Sequence, residues 1–221
     1  MRTASVSTYK SVTLSGEIHV WTLRIPAAEA VAAFEQLLSS DERERAARFR
    51  FDHLRRSFVI TRGALRCLLA RYVGQDPAAI HFVYGPKGKP ALGGPIEFNT
   101  THSGDMAAFA FADGCPVGID LEQIRAVPRM EDIAARFFEP EEHAAIMALP
   151  PAQREAAFFR CWTRKEACVK ATGEGLGASP SPAAGWTLCD LAIAPGYAGA
   201  LAYRDRERSI IDRQFPAPPA S

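Results

Sequence analysis

The amino-acid sequence predicts an α+β fold built from two similar halves that meet near Cys115. Strand-like alternation and helical periodicity both occur in each half, and they follow one another in a similar order. With 221 residues, the chain can form one large domain or two units of about 100 residues each. We therefore divide it into an N-terminal half (1–115), a C-terminal half (116–212) and a proline-rich tail (213–221) that is expected to be disordered.

The N-terminal half carries signals for two strands and two helices. Ser39 and Glu42 have the spacing of a capping box, which predicts the start of a short helix. A longer helix follows, and Gly74 is expected to close it. In chain order, the predicted elements are a strand over 17–25, a helix over 39–49, a helix over 52–73, a strand over 80–84 and a loop over 85–90.

A β-hairpin is predicted across the boundary between the two halves. An apolar run over 106–112, the turn pair Asp113-Gly114 and the alternating residues 117–122 together predict it. The glycines from Gly173 to Gly177 end a helix instead of starting one, so they lack the context of a dinucleotide-binding motif. The later elements are predicted as a helix opening at Glu139-Pro140, a helix over 152–173, and strands over 185–193 and 199–203.

Composition and charge argue against two broad classes of function. The formal net charge is +1, so the molecule as a whole has no electrostatic attraction for nucleic acid. No apolar run approaches the roughly 18 residues that a membrane-spanning helix needs. Five cysteines without metal-ligand spacing, and no signal-peptide pattern, predict a reducing cytoplasmic location. Nine arginines between Arg43 and Arg71 are suited to phosphate, or equally form a solvated helix face.

Two carboxylates on one face of a strand are the first candidate site residues. Val117, Ile119 and Leu121 alternate with Gly118, Asp120 and Glu122, so both acids share the polar face. At about 3.3 Å of rise per residue, their Cα atoms lie about 7 Å apart, close enough to serve one ion or one phosphate. A D-x-E pair also occurs by chance on exposed strands.

The second candidate segment is a helix that carries Trp162, Glu166 and Lys170. Glu166 falls on the same stripe as Trp162 and two phenylalanines, and an acid among aromatic side chains is costly unless a cation compensates it. Oxygen ligands from a few carboxylates suit Mg²⁺, which shares its remaining positions with water and phosphate. The plainer interpretation of Glu166 and Lys170 is a surface ion pair at i,i+4.

A third segment, residues 99–104, is dense in short polar side chains. Asn99, Thr101 and His102 stand at a strand end, where an amide, a hydroxyl and an imidazole can grip a phosphate. A single histidine is more often a structural hydrogen-bonding group. The chain has no phosphate-binding glycine loop and no nucleophile elbow, and phosphoryl transfer needs neither.

Together these segments resemble the 4′-phosphopantetheinyl transferases of the larger, surfactin-synthetase-activating type. The resemblance covers most of the chain, from about Glu42 to Gly177. The blocks that carry it are the arginine-rich region 43–71, Gly88-Lys89-Pro90, Phe98-Asn99-Thr100-Thr101-His102-Ser103, residues 117–122, and Trp162-x-x-Lys165-Glu166-Ala167-x-x-Lys170. It implies a monomer of two α+β halves related by a pseudo-twofold axis, each a small antiparallel sheet packed with helices, with coenzyme A between them.

The resemblance also implies a role for each matched residue. Asp120, Glu122 and Glu166 would hold Mg²⁺ on the pyrophosphate of coenzyme A, and Glu166 and Lys170 would be the catalytic pair. Two matched positions depart from the family pattern: Thr101 stands where serine is usual, and Glu42 stands where a basic residue is common. The implied coenzyme A contacts are Arg45, Lys89, Asn99, Thr101, His102, Asp120 and Lys170.

The implied activity is Mg²⁺-dependent transfer of the 4′-phosphopantetheine arm of coenzyme A to a serine of an acyl or peptidyl carrier protein. Such carriers serve fatty-acid, polyketide and nonribosomal-peptide assembly, and adenosine 3′,5′-bisphosphate would be released. Two alternatives remain open. One is a metal-dependent hydrolase of coenzyme A or nucleotides that uses the same three carboxylates. The other is a non-catalytic module that binds carriers or nucleotides.

Overall fold

A computed structural model describes residues 12–173, 185–204 and 207–216. It contains six α-helices and nine strands in these ranges. The strands are β1 (Ile18–Arg24), β2 (Val83–Tyr84), β3 (Pro90–Ala91), β4 (Ile96–Ser103), β5 (Met106–Asp113), β6 (Val117–Gln123), β7 (Trp186–Asp190), β8 (Tyr197–Arg204) and β9 (Ile210–Gln214). The helices are α1 (Val31–Glu35), α2 (Ser40–Ala47), α3 (Asp52–Val73), α4 (Met130–Phe137), α5 (Pro140–Ala148) and α6 (Pro151–Thr172), with short 3₁₀ turns at Ala28–Ala30 and Pro77–Ala79.

The strands form two main sheets, which confirms the predicted α+β class. One sheet has the order β4-β5-β1-β9 and the other has the order β6-β8-β7, while β2 and β3 form a separate two-stranded ribbon. All pairs in these sheets are antiparallel except β1 with β9, which run parallel. The first sheet is therefore mixed, where an antiparallel sheet was expected.

The two sheets and the two long helices stack in four layers, because alternate side chains along each strand point to opposite faces of its sheet. On β1, Trp21 and Leu23 pack in the core under α3, whereas Ile18 and Val20 pack between the two sheets. The second sheet repeats the pattern, because alternate residues of β6 and β8 face either the first sheet or α6. The order of layers is thus α3, first sheet, second sheet and α6.

Local signals set the ends of the long helices as the sequence predicts. Gly74 closes α3 in the left-handed conformation, with φ of 68°, and Gly173 closes α6 in the same way, with φ of 74°. At the start of α2, the Ser39 backbone N–H donates to the Glu42 carboxylate at 3.0 Å. The expected capping box is therefore present.

The predicted hairpin between β5 and β6 is wrong. β5 pairs with β4 and β1 in the first sheet, and β6 pairs with β8 in the second. The turn at Asp113-Gly114 therefore links two sheets. The apolar face of β6 packs against the alanine-rich face of β5. This packing of one sheet on the other buries apolar side chains of both strands, which hydrogen bonding of the strands within one sheet would not have done.

The predicted boundary of the tail at residue 213 is also wrong. Arg213 and Gln214 belong to β9, and the Phe215 ring lies 6.1 Å from the Phe34 ring. Because β9 covers the open edge of β1, the backbone groups there gain partners. Residues 217–221, and the glycines beyond Gly173 in the 173–177 segment, lie outside the described residues. The strand expected over 80–84 is limited to Val83–Tyr84, and among the described helices none is long and apolar enough to cross a membrane.

Candidate active site

Gly118 allows α6 to lie directly on β6. A Cβ atom at Gly118 would stand 2.1 Å from the Ala167 carbonyl oxygen and 2.4 Å from the Ala171 nitrogen. Only glycine permits this approach of helix backbone to strand backbone. The contact brings the C-terminal turns of α6 over the polar face of β6, where Asp120 and Glu122 lie.

Lys170 then joins the two predicted segments. Its Nζ donates to Asp120 Oδ1 at 2.6 Å and to Thr101 Oγ1 at 3.2 Å. Asp120 is buried, with 4% of its surface exposed, whereas the side chain of Lys170 is 29% exposed, so the pair lies at the edge of the protein interior. The structure thus places Asp120 and Lys170 together, as the sequence motifs predict.

Side chains of β4 reach across to β6 in matching register. Asn99 Oδ1 accepts a hydrogen bond from the Ile119 backbone N–H at 3.1 Å. Thr101 Oγ1 donates to Asp120 Oδ1 at 3.2 Å, and Ser103 Oγ donates to Glu122 Oε2 at 2.7 Å. These three side chains join the two sheets, because β6 is the edge strand of its sheet and β4 the edge strand of the other.

Two acids of the site, Glu122 and Glu166, have a raised pKa. Burial first, and then the charge of Asp120, raises the pKa of Glu166 above its ordinary value. The pKa of Glu122 is raised by the same two causes, against the lowering effect of its bond from Ser103. Glu122 and Glu166 therefore each lie close enough to Asp120 to be repelled by it.

The predicted metal ligands are near one another but do not converge. In the described part of the chain, no group of three or more His, Cys, Asp or Glu side chains is close enough to hold a metal ion as it stands. Yet Asp120 Oδ2 is buried and has no hydrogen-bond partner among the described residues. A buried carboxylate oxygen without a partner, in an acid whose charge also acts on two neighbouring carboxylates, is the donor chemistry that a hard divalent cation satisfies.

Lys89, which the resemblance predicts as a coenzyme A contact, binds backbone carbonyl groups in this structure. Its Nζ donates to the carbonyl oxygens of Lys170 at 2.8 Å, Val117 at 3.4 Å and Ala171 at 3.5 Å. Burial lowers its pKa. The ammonium group thus links the loop before β3 to the end of α6 and the start of β6, and it contacts the carbonyl of the same lysine that holds Asp120.

Arg45 and His102 are both exposed to solvent. Arg45 is exposed, and its guanidinium lies 5.2 Å from the centre of the Phe58 ring. His102 is exposed at its edge, yet desolvation by surrounding protein lowers its pKa and the charge of Lys170 lowers it further. Its ring is therefore neutral over a wider pH range than usual.

Glu42, the position that departs from the family pattern, is structural. It is 2% exposed, caps α2 and accepts a hydrogen bond from Arg66 Nε at 2.7 Å. A carboxylate so enclosed by arginines fixes α2 against α3. It is not available to a ligand.

Two residues that sequence reasoning did not assign emerge here. One is Ser103, which holds Glu122. The other is Arg62, whose guanidinium lies 5.0 Å from the Phe82 ring and 5.9 Å from the Phe58 ring. Its Nη1 atom is buried without a hydrogen-bond partner among the described residues, and burial lowers its pKa. Helical spacing places Arg62 among many arginines, and no local signal separates it from the rest.

A groove of about 280 Å³ runs beside Lys89, between the two halves. The loop before β3 and the strand β4 line one side, and the end of α6 lines the other. The charged and polar lining residues are Lys87, Lys89, Glu97 and Thr172. Lys89, which lines this groove, also donates to the backbone carbonyl of Lys170, whose side chain pairs with Asp120.

Comparison with known proteins identifies both halves of the chain. Residues 116–213 match the family model of the 4′-phosphopantetheinyl transferase superfamily. Residues 21–113 match the model of the N-terminal region of a 4′-phosphopantetheinyl transferase. The two matches account for β1 to β9 almost completely.

Relatives of the chain are named as 4′-phosphopantetheinyl transferases. The chain is 42% identical over 171 residues to the 4′-phosphopantetheinyl transferase HetI of Nostoc sp., covering 74% of this chain and 71% of that protein. It is 44% identical over 110 residues to AcpT of Salmonella typhimurium (49% of this chain, 56% of the relative). It is 35% identical over 141 residues to the 4′-phosphopantetheinyl transferase of Bacillus subtilis (63% and 62%), so it spans less than two thirds of these last two. The chain belongs to the 4′-phosphopantetheinyl transferase superfamily.

Proposed function

We propose that this protein transfers the 4′-phosphopantetheine group of coenzyme A to a serine hydroxyl of an acyl or peptidyl carrier protein. The observation that supports the proposal most is the meeting of Asp120, Thr101 and Lys170 at hydrogen-bond distance. These residues come from β4, β6 and α6, and they join the acidic motif of β6 to the lysine motif of α6. Fatty-acid, polyketide and nonribosomal-peptide carriers are all candidate acceptors, and a monomer in the cytoplasm is the expected state.

A divalent cation, with Mg²⁺ preferred, would be held by Asp120, Glu122 and Glu166. The unpartnered Asp120 Oδ2 and the mutual repulsion of the three acids support this set. When bound, the cation would neutralise charge on the coenzyme A pyrophosphate and on the phosphate that departs.

The protein side chains then have separate tasks. Lys170 places a positive charge beside Asp120, where it would stabilise the oxygens of the phosphate left on the nucleotide. The carrier serine oxygen attacks the phosphorus next to pantetheine, the bond to the bridging pyrophosphate oxygen breaks, and adenosine 3′,5′-bisphosphate leaves. Glu166, whose pKa is raised, would take the serine proton directly or through a water.

The nucleotide end of coenzyme A would lie toward Arg45 and the groove beside Lys89. Arg45 and Arg62 flank the Phe58 ring, and the buried Nη1 of Arg62 lacks a partner among the described residues. Two guanidinium groups at one place suit a phosphate. His102 and Thr101 at the end of β4 are the other proposed contacts. The contact proposed for Lys89 requires its ammonium to leave the α6 carbonyls or to serve both.

The test is to incubate the protein with coenzyme A, Mg²⁺ and an apo carrier protein, and then to weigh the carrier. The expected result is a gain of one phosphopantetheine group that requires Mg²⁺ and is abolished by a chelator. A panel of fatty-acid, polyketide and peptide carriers would show which acceptor is used.

Other outcomes distinguish the alternatives. Free phosphopantetheine released from coenzyme A without a carrier would indicate the hydrolase. Coenzyme A binding that survives Asp120→Ala and Glu166→Ala, in a protein that modifies none of the carriers, would indicate a binding module.

A further inference from the structure

We propose that Ser103 is a positioning residue that holds one oxygen of Glu122, so that the other oxygen is left for a divalent cation. This inference rests on the proposed function of the same site. It assigns a role in cation binding to a side chain that would act through Glu122 and would not itself touch the cation.

The hydrogen-bond directions at Ser103 are determined by its neighbours. Ser103 Oγ accepts the backbone N–H of Gln123 at 3.1 Å. Its single proton is therefore directed to Glu122 Oε2, which lies 2.7 Å away. A hydroxyl bound to a carboxylate makes a short, charge-assisted hydrogen bond that limits rotation of the carboxylate.

The strand register repeats this arrangement two residues earlier. Thr101 on β4 donates to Asp120 on β6, as Ser103 on β4 donates to Glu122 on β6. Because side chains on one face of a strand recur every second residue, the two hydroxyls serve the two acids in parallel. Each acid keeps one oxygen that its hydroxyl does not occupy, and in Asp120 that oxygen, Oδ2, is buried and unpartnered among the described residues.

The turn after Ser103 is fixed to the second sheet, so that Ser103 cannot drift from Glu122. A Cβ atom at Gly104 would stand 2.6 Å from Tyr197 Oη and 2.7 Å from Gln123 Oε1. The Asp105 backbone N–H donates to Tyr197 Oη at 3.2 Å, and the Asp105 carboxylate accepts from the same hydroxyl and from Arg24. Gly104 has φ of 57°, which glycine adopts without strain.

The experiment is a titration with Mn²⁺, followed by electron paramagnetic resonance, with and without coenzyme A and without any carrier. We expect Ser103→Ala to weaken Mn²⁺ binding by about 10-fold to 100-fold, as for other partners of metal ligands. Ser103→Thr keeps the hydroxyl and should restore most of the affinity. In the carrier assay, the Ser103→Ala variant should need more Mg²⁺ for half-maximal rate and recover when Mg²⁺ is raised.

Thr100→Val is the matched control. Thr100 lies on the opposite face of β4, and its Oγ1 is buried without a hydrogen-bond partner among the described residues. The substitution removes one hydroxyl from the same strand without touching either acid. It should leave Mn²⁺ affinity equal to that of the parent, and thermal unfolding of all variants would check that they fold.

Mn²⁺ affinity of the Ser103→Ala variant equal to the parent's would overturn the inference, and so would an equal loss in Thr100→Val. If the parent itself shows no saturable Mn²⁺ binding, the inference also fails. The carrier assay separates this failure from that of the proposed function. A parent that modifies carriers while Ser103→Ala binds Mn²⁺ normally keeps its function and refutes only the role of Ser103.

Discussion

Lys170 is the side chain through which three elements meet, since its ammonium contacts Asp120 on β6 and Thr101 on β4 while it stands on α6. Lys165, five residues earlier on the same helix, points elsewhere and pairs with Glu142 of α5 at 2.9 Å. Two lysines of one helix thus have separate roles. Lys170 would act on the reacting phosphates, and Lys165 fastens α5 to α6.

We predict that Lys170→Met lowers the rate of carrier modification by about 10²-fold to 10³-fold, because a preorganised charge at the departing phosphate is lost. Lys165→Met is the control, with the same change on the same helix, and it should reduce thermal stability more than turnover. Mass spectrometry of the carrier and thermal unfolding of each variant are the measurements. Equal losses of rate in the two variants would contradict the assignment.

His19 is a buried histidine that the site does not use. Tyr72 Oη accepts the Trp21 Nε1–H at 2.7 Å, so its own proton is directed to His19 Nδ1 at 2.8 Å. The Nε2 atom of His19 then carries its proton toward Glu17 at 3.1 Å. Burial lowers the pKa of His19, and burial raises the pKa of Tyr72 to about 12. The ring is held neutral between two fixed partners.

This arrangement predicts how stability depends on pH. The unfolded chain takes up a proton at His19 near its ordinary pKa of 6.5, whereas the folded chain does so only at lower pH. The free energy of unfolding should therefore fall as pH drops below 6.5 toward the lowered pKa, by at most about 1.4 kcal/mol per pH unit for this one group. His19→Asn should be less stable but have a flatter profile in urea unfolding.

The exposed His53 provides the control for that measurement. His53→Asn should keep the slope of the parent between pH 6.5 and the lowered pKa of His19. A slope unchanged by His19→Asn would show that other groups cause the acid sensitivity.

At the scale of elements, the packing of α6 on β6 depends on Gly118. Its hypothetical Cβ would meet backbone atoms of Ala167 and Ala171, which cannot move aside as a side chain can. We predict that Gly118→Ala destabilises the protein by about 3 kcal/mol or more, because overpacking against backbone forces the helix away. It should also abolish transfer, since Lys170 moves with the helix.

Gly93→Ala is the matched control for that prediction. No atom lies within 4 Å of the Cβ that would be added at Gly93. Urea unfolding of both variants is the measurement, and Gly93→Ala should unfold at the same urea concentration as the parent. A Gly118→Ala variant of parental stability would show that strand and helix can separate freely.

Helices whose ends are marked by capping residues or glycines were predictable from sequence, whereas the pairing of strands with one another was not. The capping pair at Ser39 and the glycine stops at Gly74 and Gly173 act within a few residues, so the bounds of α2, α3 and α6 follow from them. The turn pair at Asp113-Gly114 was also a valid local signal. Its strands nevertheless enter different sheets, because the alanine-rich face of β5 packs on β6 face to face.

At the scale of the whole molecule, Lys89 joins the two halves. Its contacts to the carbonyls of Lys170, Val117 and Ala171 cross from the first half to the second. We predict that Lys89→Met lowers the free energy of unfolding by about 1–3 kcal/mol, since partly buried carbonyls lose their donor. Faster amide exchange at the end of α6 should accompany the loss.

Lys87→Met, in the same loop but exposed, is the control and should leave stability unchanged. The alternative role of Lys89, a direct contact to the nucleotide, predicts another result. In that case Lys89→Met would weaken binding of adenosine 3′,5′-bisphosphate without changing stability. Calorimetry with that ligand and urea unfolding distinguish the two roles.

The acids of the candidate site could be found from sequence because the D-x-E and W-x-x-K-E patterns, although the first occurs often by chance, are specific in combination. The residues that hold these acids and their helix in place could not be found in this way. Ser103 and Lys89 contact groups that are distant along the chain, and no spacing rule relates them to their partners. Glu42 illustrates the same limit: its motif position suggests a lost ligand contact, while its burial beside Arg66 shows a structural role. The division into halves at residue 115 and the metal set remain predictions.

The parallel pairing of β9 with β1 has a consequence for biosynthesis. β1 begins at Ile18 and its partner begins at Ile210, so the first sheet gains its last strand only after all the residues between them have left the ribosome. Until then, the nascent protein carries an uncovered strand edge of the kind that recruits other chains. Slow, non-local closure should make the growing polypeptide dependent on chaperones more than its modest size suggests.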